Sequence, residues 1–230
     1  MKKIAAIIPA AGSGTRLRSK IAKPYLSLCG IPLLAYSLRV MQQSRNIERI
    51  VIAAENNRIS RAEDIVRRFK ISKARNIISG GATRSESVWN ALRSLDADTD
   101  FVLIHDAARP FITGKLVDGC IAAAIRYGAV ICAVPCVATI KSVDKNLNVA
   151  ETLDRNVLWE VQTPQVFSYK LIVSAYEKCF SEKKPFFDDA SLIERLPHRV
   201  KVVPGLAANM KVTTPDDLKI AQAIARMRTR

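Results

Sequence analysis

A chain of 230 residues, 49% hydrophobic and 25% charged, can bury one full core and is too apolar to be a disordered tract. Its longest apolar runs are about six residues, against the ~20 needed to cross a bilayer, so no membrane span is expected. The formal charge of +15 fits a small polyanionic substrate better than nucleic acid: the basic residues are dispersed, dense only at Arg67-Arg68 and over 226–230, and the aromatics are not interleaved with them.

The basic, apolar start resembles a signal peptide only superficially. Pro9, Gly12 and Gly14 break the run and Arg16 follows, so residues 4–8 read as the first core strand of a cytoplasmic protein. Further β-rich runs occupy 49–53, 76–78, 101–104 and 129–134, with helix-period segments at 32–43, 59–69, 84–95 and 115–127 between them. Alternation of fully apolar strands with helices predicts an α/β, Rossmann-like, mostly parallel sheet covered on both faces. Ligands of such sheets sit beyond the carboxyl ends of the strands.

After residue 134 the rhythm changes. Residues 139–143 and 149–153 flank Asp144-Lys145-Asn146-Leu147-Asn148 and read as a β-hairpin, either a solvated loop or an arm reaching onto another subunit. Helical pattern returns at 171–180 and 189–196, and a strand at 200–203. Thr214-Pro215-Asp216-Asp217 caps a last helix running to residue 225. We expect one domain over 1–230 with the β-arm, 137–160, inserted in it. Cys29, Cys120, Cys132, Cys136 and Cys179 form no C-x-x-C, and 132 and 136 would lie roughly 13 Å apart on a strand, so they read as free thiols in a reducing compartment.

Three segments carry chemistry. The first is Pro9-Ala10-Ala11-Gly12-Ser13-Gly14-Thr15-Arg16, a glycine loop straight after a strand. It lacks the third glycine of a dinucleotide fingerprint, Leu17 standing there, and the Gly-Lys-Ser/Thr of an ATPase loop. Arg16 and Lys23 instead supply the bidentate grip and the point charge that phosphates need. The second is His105-Asp106-Ala107-Ala108-Arg109-Pro110-Phe111, at the end of an apolar strand. Asp106 suits Mg²⁺ as a hard oxygen donor, or else caps a helix or pairs with Arg109. His105 has no nucleophile to activate and reads as scaffold. The third is Gly80-Gly81-Ala82-Thr83-Arg84-Ser85-Glu86-Ser87, either a close backbone approach to a ligand, with Ser87 bonding a base or sugar, or a turn followed by a cap. Arg155 and Lys211 read either as surface charges or, together, as a second phosphate pocket.

Taken in order, these blocks, with Lys23-Pro24-Tyr25-Leu26, Asp154-Arg155-Asn156, Gln162-Thr163-Pro164-Gln165 and Asn209-Met210-Lys211-Val212-Thr213, resemble the 2-C-methyl-D-erythritol 4-phosphate cytidylyltransferases of the non-mevalonate isoprenoid pathway over essentially the whole chain. The His-Asp-Ala-Ala-Arg-Pro block leans towards this family over the ribitol-5-phosphate cytidylyltransferases. The resemblance implies that Ala10, Ala11, Gly12, Ser13, Gly14, Gly81 and Ser87 form the CTP pocket. Arg16, Lys23 and Lys211 would be the catalytic triphosphate clamp and Asp106 the Mg²⁺ ligand. Arg109, Thr139, Arg155 and Thr163 would hold the sugar-alcohol phosphate, with Arg155 and Thr163 supplied across a homodimer by the arm. The implied reaction moves CMP from CTP to the methylerythritol phosphate and releases pyrophosphate. Ala22, Pro24, Ala138, Phe187 and Ala208 depart from the family's usual residues. The rival readings are transfer to ribitol 5-phosphate or another sugar phosphate, and a non-catalytic basic nucleotide- or RNA-binding module.

Overall fold

The computed structural model describes residues 2–12, 21–182 and 186–228. Its centre is a seven-stranded sheet built from β1 (Ile4–Ala10), β4 (Arg49–Ala54), β5 (Asn76–Ser79), β6 (Phe101–Ile104), β7 (Ala129–Pro135), β10 (Trp159–Ser168) and β11 (Lys201–Pro204). The spatial order is β11-β7-β10-β6-β1-β4-β5. All neighbours run parallel except β10, which is antiparallel to both β6 and β7. The expected mostly parallel α/β architecture is therefore present.

Strand β1 shows why the sheet is buried on both sides. Ile4, Ala6, Ile8 and Ala10 enter one apolar cluster with α1 (Leu33–Gln43), α2 (Ile59–Arg68) and α4 (Gly114–Tyr127). Ala5 and Ile7 enter another with α3 (Arg84–Arg93), α5 (Tyr169–Glu182) and α6 (Asp189–Ile193). Alternate side chains of one strand thus serve opposite helical layers. Pro9 is tolerated in this central strand for a local reason. The Ile7 carbonyl accepts from His105 N at 3.0 Å, so position 9 faces the same side, beyond the last β6 pairing at Ile7. Its missing N–H ends the β1–β6 ladder there.

A short ribbon, β2 (Ser27–Leu28) with β3 (Ile31–Pro32), joins α7 (Pro215–Arg228) and the start of α1 in a third cluster around Leu28, Leu33, Phe111 and Val212. The cap read before α7 is formed: Thr214 Oγ1 accepts Asp217 N at 3.1 Å, and Asp217 Oδ2 accepts Thr213 N and Thr214 N at 2.8 Å each. The hairpin is also formed, as β8 (Lys141–Val143) and β9 (Val149–Thr152). It is a separate two-stranded sheet in which every β9 residue is exposed, turned by Asp144 Oδ1 accepting Asn146 N and Asn148 N.

Order after strand β1 reverses at its two sides: the chain moves outward through β4 and β5, then returns to place β6 on the other flank. The carboxyl ends of β1 and β6 therefore border a switch point, where an open α/β sheet offers a crevice.

Candidate active site

Strand β6 ends at Ile104 and the chain then presents His105, Asp106 and Arg109 at that crevice. His105 is fully buried, with Nδ1 2.9 Å from Thr163 Oγ1 and Nε2 3.3 Å from the Arg109 carbonyl oxygen. Burial, opposed by the Asp106 charge, lowers its pKa to about 4. A neutral ring that accepts the Thr163 O–H and donates to Arg109 O satisfies both contacts. His105 is thus a scaffold residue, as its sequence context implied.

Asp106 is held by cations on both oxygens. Arg84 Nε donates to Oδ1 at 2.9 Å, and Lys211 Nζ meets Oδ2 at 2.7 Å. Burial works against its charge but is outweighed by Arg84 and Lys211, which hold the carboxyl well below the usual carboxylate range. The Lys211 side chain is 36% exposed, against 10% for Asp106. The expected pairing of Asp106 with Arg109 is electrostatic only. The guanidinium of Arg109 donates instead to backbone, Nη1 to Asn209 O at 2.8 Å and Nη2 to Val161 O at 3.3 Å. Its Nε is buried with no hydrogen-bond partner among the described residues. Arg109 is therefore first a brace between three segments, and its charge faces two cavities on either side.

The segment carrying Lys211 is laid along the residues after β6. Val212 N donates to Ala108 O at 2.9 Å, and Asn209 Nδ2 donates to Thr163 O at 2.8 Å and Gln162 Oε1 at 3.2 Å. One cavity, about 450 Å³, includes Arg84, Asp106, Thr163 and Lys211 in its wall; the other, about 570 Å³, includes Arg109, Val137, Met210 and Lys211.

Thr163 corrects one expectation. It does not reach out across an interface: it is 4% exposed in its own chain, where Oγ1 accepts Asp106 N at 3.0 Å and meets His105. Arg155 and Thr139 are exposed at the base of the arm, and Arg155 Nη1 donates to Val137 O at 3.2 Å, on the rim of the larger cavity. Lys23 is half-buried in a 3-10 turn (Lys23–Tyr25), close enough to Asp217 to be among the groups that favour its ionised form.

The glycine pair after β5 is required by packing within the turn that was one of its two readings. A Cβ on Gly80 would lie 2.5 Å from Ala11 Cβ, and one on Gly81 would lie 2.2 Å from Glu86 Cβ. The protein's own atoms already demand both glycines. Ser87 is buried and donates to Thr83 O at 2.8 Å while accepting Gly81 N at 3.1 Å, and Thr83 accepts Glu86 N at 3.1 Å. The turn-plus-cap arrangement is thus formed, and it presses against Ala11 in the loop after β1. Ala10 closes β1, and a Cβ on Gly12 would meet nothing within 4 Å among the described residues. Ser13, Gly14 and Arg16 lie outside the described residues.

Sequence reasoning gave no role to Arg84, which the fold aims at Asp106, nor to Asp189, Gln162 and Gln165 behind it. Arg84 stood inside a quoted block, but its partners lie 22 and 105 positions away.

Comparison with known proteins agrees with this geometry. Residues 4–227 match the IspD family, 2-C-methyl-D-erythritol 4-phosphate cytidylyltransferase. The enzyme of that name from Halalkalibacterium halodurans is 43% identical over 218 residues, 95% of each chain. The one from Syntrophus aciditrophicus is 40% identical over 225 residues, 97% of this chain and 96% of that one. Among solved structures, the 4-diphosphocytidyl-2C-methyl-D-erythritol synthase of Anaerococcus prevotii superposes with a TM-score of 0.86 at 33% identity, covering 98% of this chain and 96% of its own. The chain belongs to the 2-C-methyl-D-erythritol 4-phosphate cytidylyltransferase family and is an enzyme of the nucleotidyltransferase class.

Proposed function

We propose that this chain transfers CMP from CTP to 2-C-methyl-D-erythritol 4-phosphate, giving the 4-diphosphocytidyl product and pyrophosphate. The observation that carries the reading is the meeting of Lys211, Arg84 and Arg109 around the ionised carboxylate of Asp106. A phosphate monoester is itself a competent nucleophile, so such a site needs charge and alignment rather than a serine or cysteine.

The 4-phosphate attacks the α-phosphorus in line, and pyrophosphate leaves. The obstacle is repulsion between two polyanions. Lys211, exchanging Asp106 for a phosphate oxygen, together with Lys23 and Arg16, offsets that charge and holds the triphosphate for attack. We assign Ala10, Ala11, Gly12, Ser13, Gly14, Gly81 and Ser87 to binding the nucleotide. Arg109, Thr139 and Arg155 attract the acceptor's phosphate, and Thr163 acts by fixing Asp106.

Mg²⁺ fits this donor set as an ion that arrives with the substrate. Among the described residues no group of three or more His, Cys, Asp or Glu could hold a metal alone. Mg²⁺ is commonly bound through one or two carboxylates plus substrate phosphates and water, and Asp106 is one such ionised oxygen donor. Held through Asp106, the ion would supply positive charge that offsets that of the phosphates.

The arm is proposed to pack on a second copy, bringing Arg155 to the neighbouring site. Val143, Leu147, Val149 and Val157 are 53%, 82%, 60% and 74% exposed, an apolar surface that a homodimer would cover. Among the described residues no helix is long and apolar enough to cross a membrane, and the five free cysteines suit a cytoplasmic setting.

The test is pyrophosphate release from CTP with Mg²⁺ against 2-C-methyl-D-erythritol 4-phosphate, ribitol 5-phosphate and other sugar phosphates. The methylerythritol acceptor should give the highest kcat/KM. Preference for ribitol 5-phosphate, or tight RNA binding without turnover, would replace this reading with one of its rivals.

A further inference from the structure

Behind Asp106 lies a line of polar groups that no step of the reaction uses. Arg84 Nη1 donates to Asp189 Oδ2 at 2.9 Å while its Nε holds Asp106 Oδ1 at the same distance. Tyr176 donates its O–H to the other oxygen of Asp189 at 2.5 Å. The Asp189 side chain is completely buried, so it touches neither solvent nor either cavity.

Both ends of this line are fastened. Asp189 opens α6, whose cap Asp188 accepts Gln165 Nε2 at 2.7 Å, while Gln165 Oε1 accepts Ala190 N at 3.1 Å. Gln165 lies on β10, two positions from Thr163. Tyr176 stacks on Trp89 of α3 with centroids 5.7 Å apart and planes 8° from parallel, and meets Phe186 edge-on at 5.7 Å. A guanidinium is a rigid fork, and one gripped by carboxylates at two of its nitrogens has little freedom to turn. Released from Asp189, Arg84 could take both oxygens of Asp106 in a bidentate pair, the strongest geometry open to it. That would close the oxygen on which Lys211 now sits.

A buried ion pair is a poor source of stability, since packed apolar residues of similar volume often do as well or better. Retaining a fully buried carboxylate beside the reacting groups therefore points to geometry. We propose that Asp189 is a positioning residue: acting through Arg84, it keeps one oxygen of Asp106 presented to Lys211. The proposal rests on the reading of Asp106 and Lys211 as parts of the reacting site.

The test is Asp189→Asn, which keeps the shape and removes the charge. Kcat should fall by roughly 10- to 100-fold, the usual cost of losing an outer-shell partner. KM for the sugar phosphate should stay within about twofold, because the line does not reach the Arg109–Val137 cavity. In an Arg84→Gln background the same change should cost nothing further, since its path of action is already cut. Tyr176→Phe, which removes one hydroxyl, should lower kcat in the same direction by a few-fold, and it decides the matter if Asp189→Asn does not fold. Wild-type kcat in whichever of these variants folds, or losses that add in the double variant and track thermal stability, would overturn the proposal. A wild-type enzyme releasing no pyrophosphate with any acceptor would instead defeat the reading beneath it.

Discussion

Thr163 Oγ1 accepts the backbone N–H of Asp106 at 3.0 Å and lies 2.9 Å from His105 Nδ1, so a single hydroxyl sets both the tautomer of the histidine and the path of the chain leaving β6. Thr163→Val keeps the volume and strands a buried N–H, which costs about 1–3 kcal/mol. Denaturant titration should show that loss, with Thr163→Ser recovering most of it. Equal stability of the Val and Ser variants would mean that the hydroxyl holds nothing.

His105 makes stability depend on pH. Burial first of all lowers its pKa from 6.5 to about 4, so between those values the unfolded chain binds a proton that the folded chain does not. Stability from this group is complete above about pH 6.5 and declines as pH falls towards 4, by about 3 kcal/mol in all. Urea midpoints measured across that window should drop more steeply for the wild type than for His105→Asn. Parallel pH profiles would contradict the assignment.

Removing the clamp should slow chemistry. Lys211→Ala and Lys23→Ala are each expected to lower kcat by about 10²–10³-fold, comparable to losing an oxyanion donor. Single-turnover rates at saturating CTP and Mg²⁺ are the measurement. Near-wild-type rates for either variant would remove that lysine from the site.

The glycines separate cleanly. A methyl at Gly80 would collide with Ala11 Cβ at 2.5 Å and Ser87 Oγ at 2.9 Å, whereas one at Gly12 would meet nothing within 4 Å among the described residues. Gly80→Ala should cost about 1–3 kcal/mol by overpacking and displace the loop after β1, raising KM for CTP. Gly12→Ala should leave stability unchanged in thermal melts. The reverse ranking would show that the loop is not packed as described.

The strands β1, β4, β6 and β7 and the first four helices were legible because each carries its own periodicity. Strand β10 was not. Proline seldom enters a central strand, and here Pro164 falls in an irregularity where three residues of β10, 162–164, lie opposite one of β7, Cys132. The charged blocks around Asp106 and Lys211 could be recognised as chemistry from residue type and local order. Their supporting contacts could not: Arg84 and Asp189 are brought together only by packing α3 and α6 on one face of the sheet. Thr163 shows the same limit, because sequence marked it as important without indicating that its hydroxyl is used within its own subunit.

Asn209 has a consequence for how this enzyme comes into being. Its amide ties Gln162 and Thr163, and its carbonyl receives Arg109 from 100 positions upstream. A nascent chain emerging from the ribosome can therefore lay down β1, β4, β5 and β6 long before the groups that align Arg109 and place Lys211 have been synthesised. Until that late segment docks, the early strands present an unassembled set of charges to whatever nucleotide is nearby. Synthesis order thus keeps catalytic competence for the last stretch of translation.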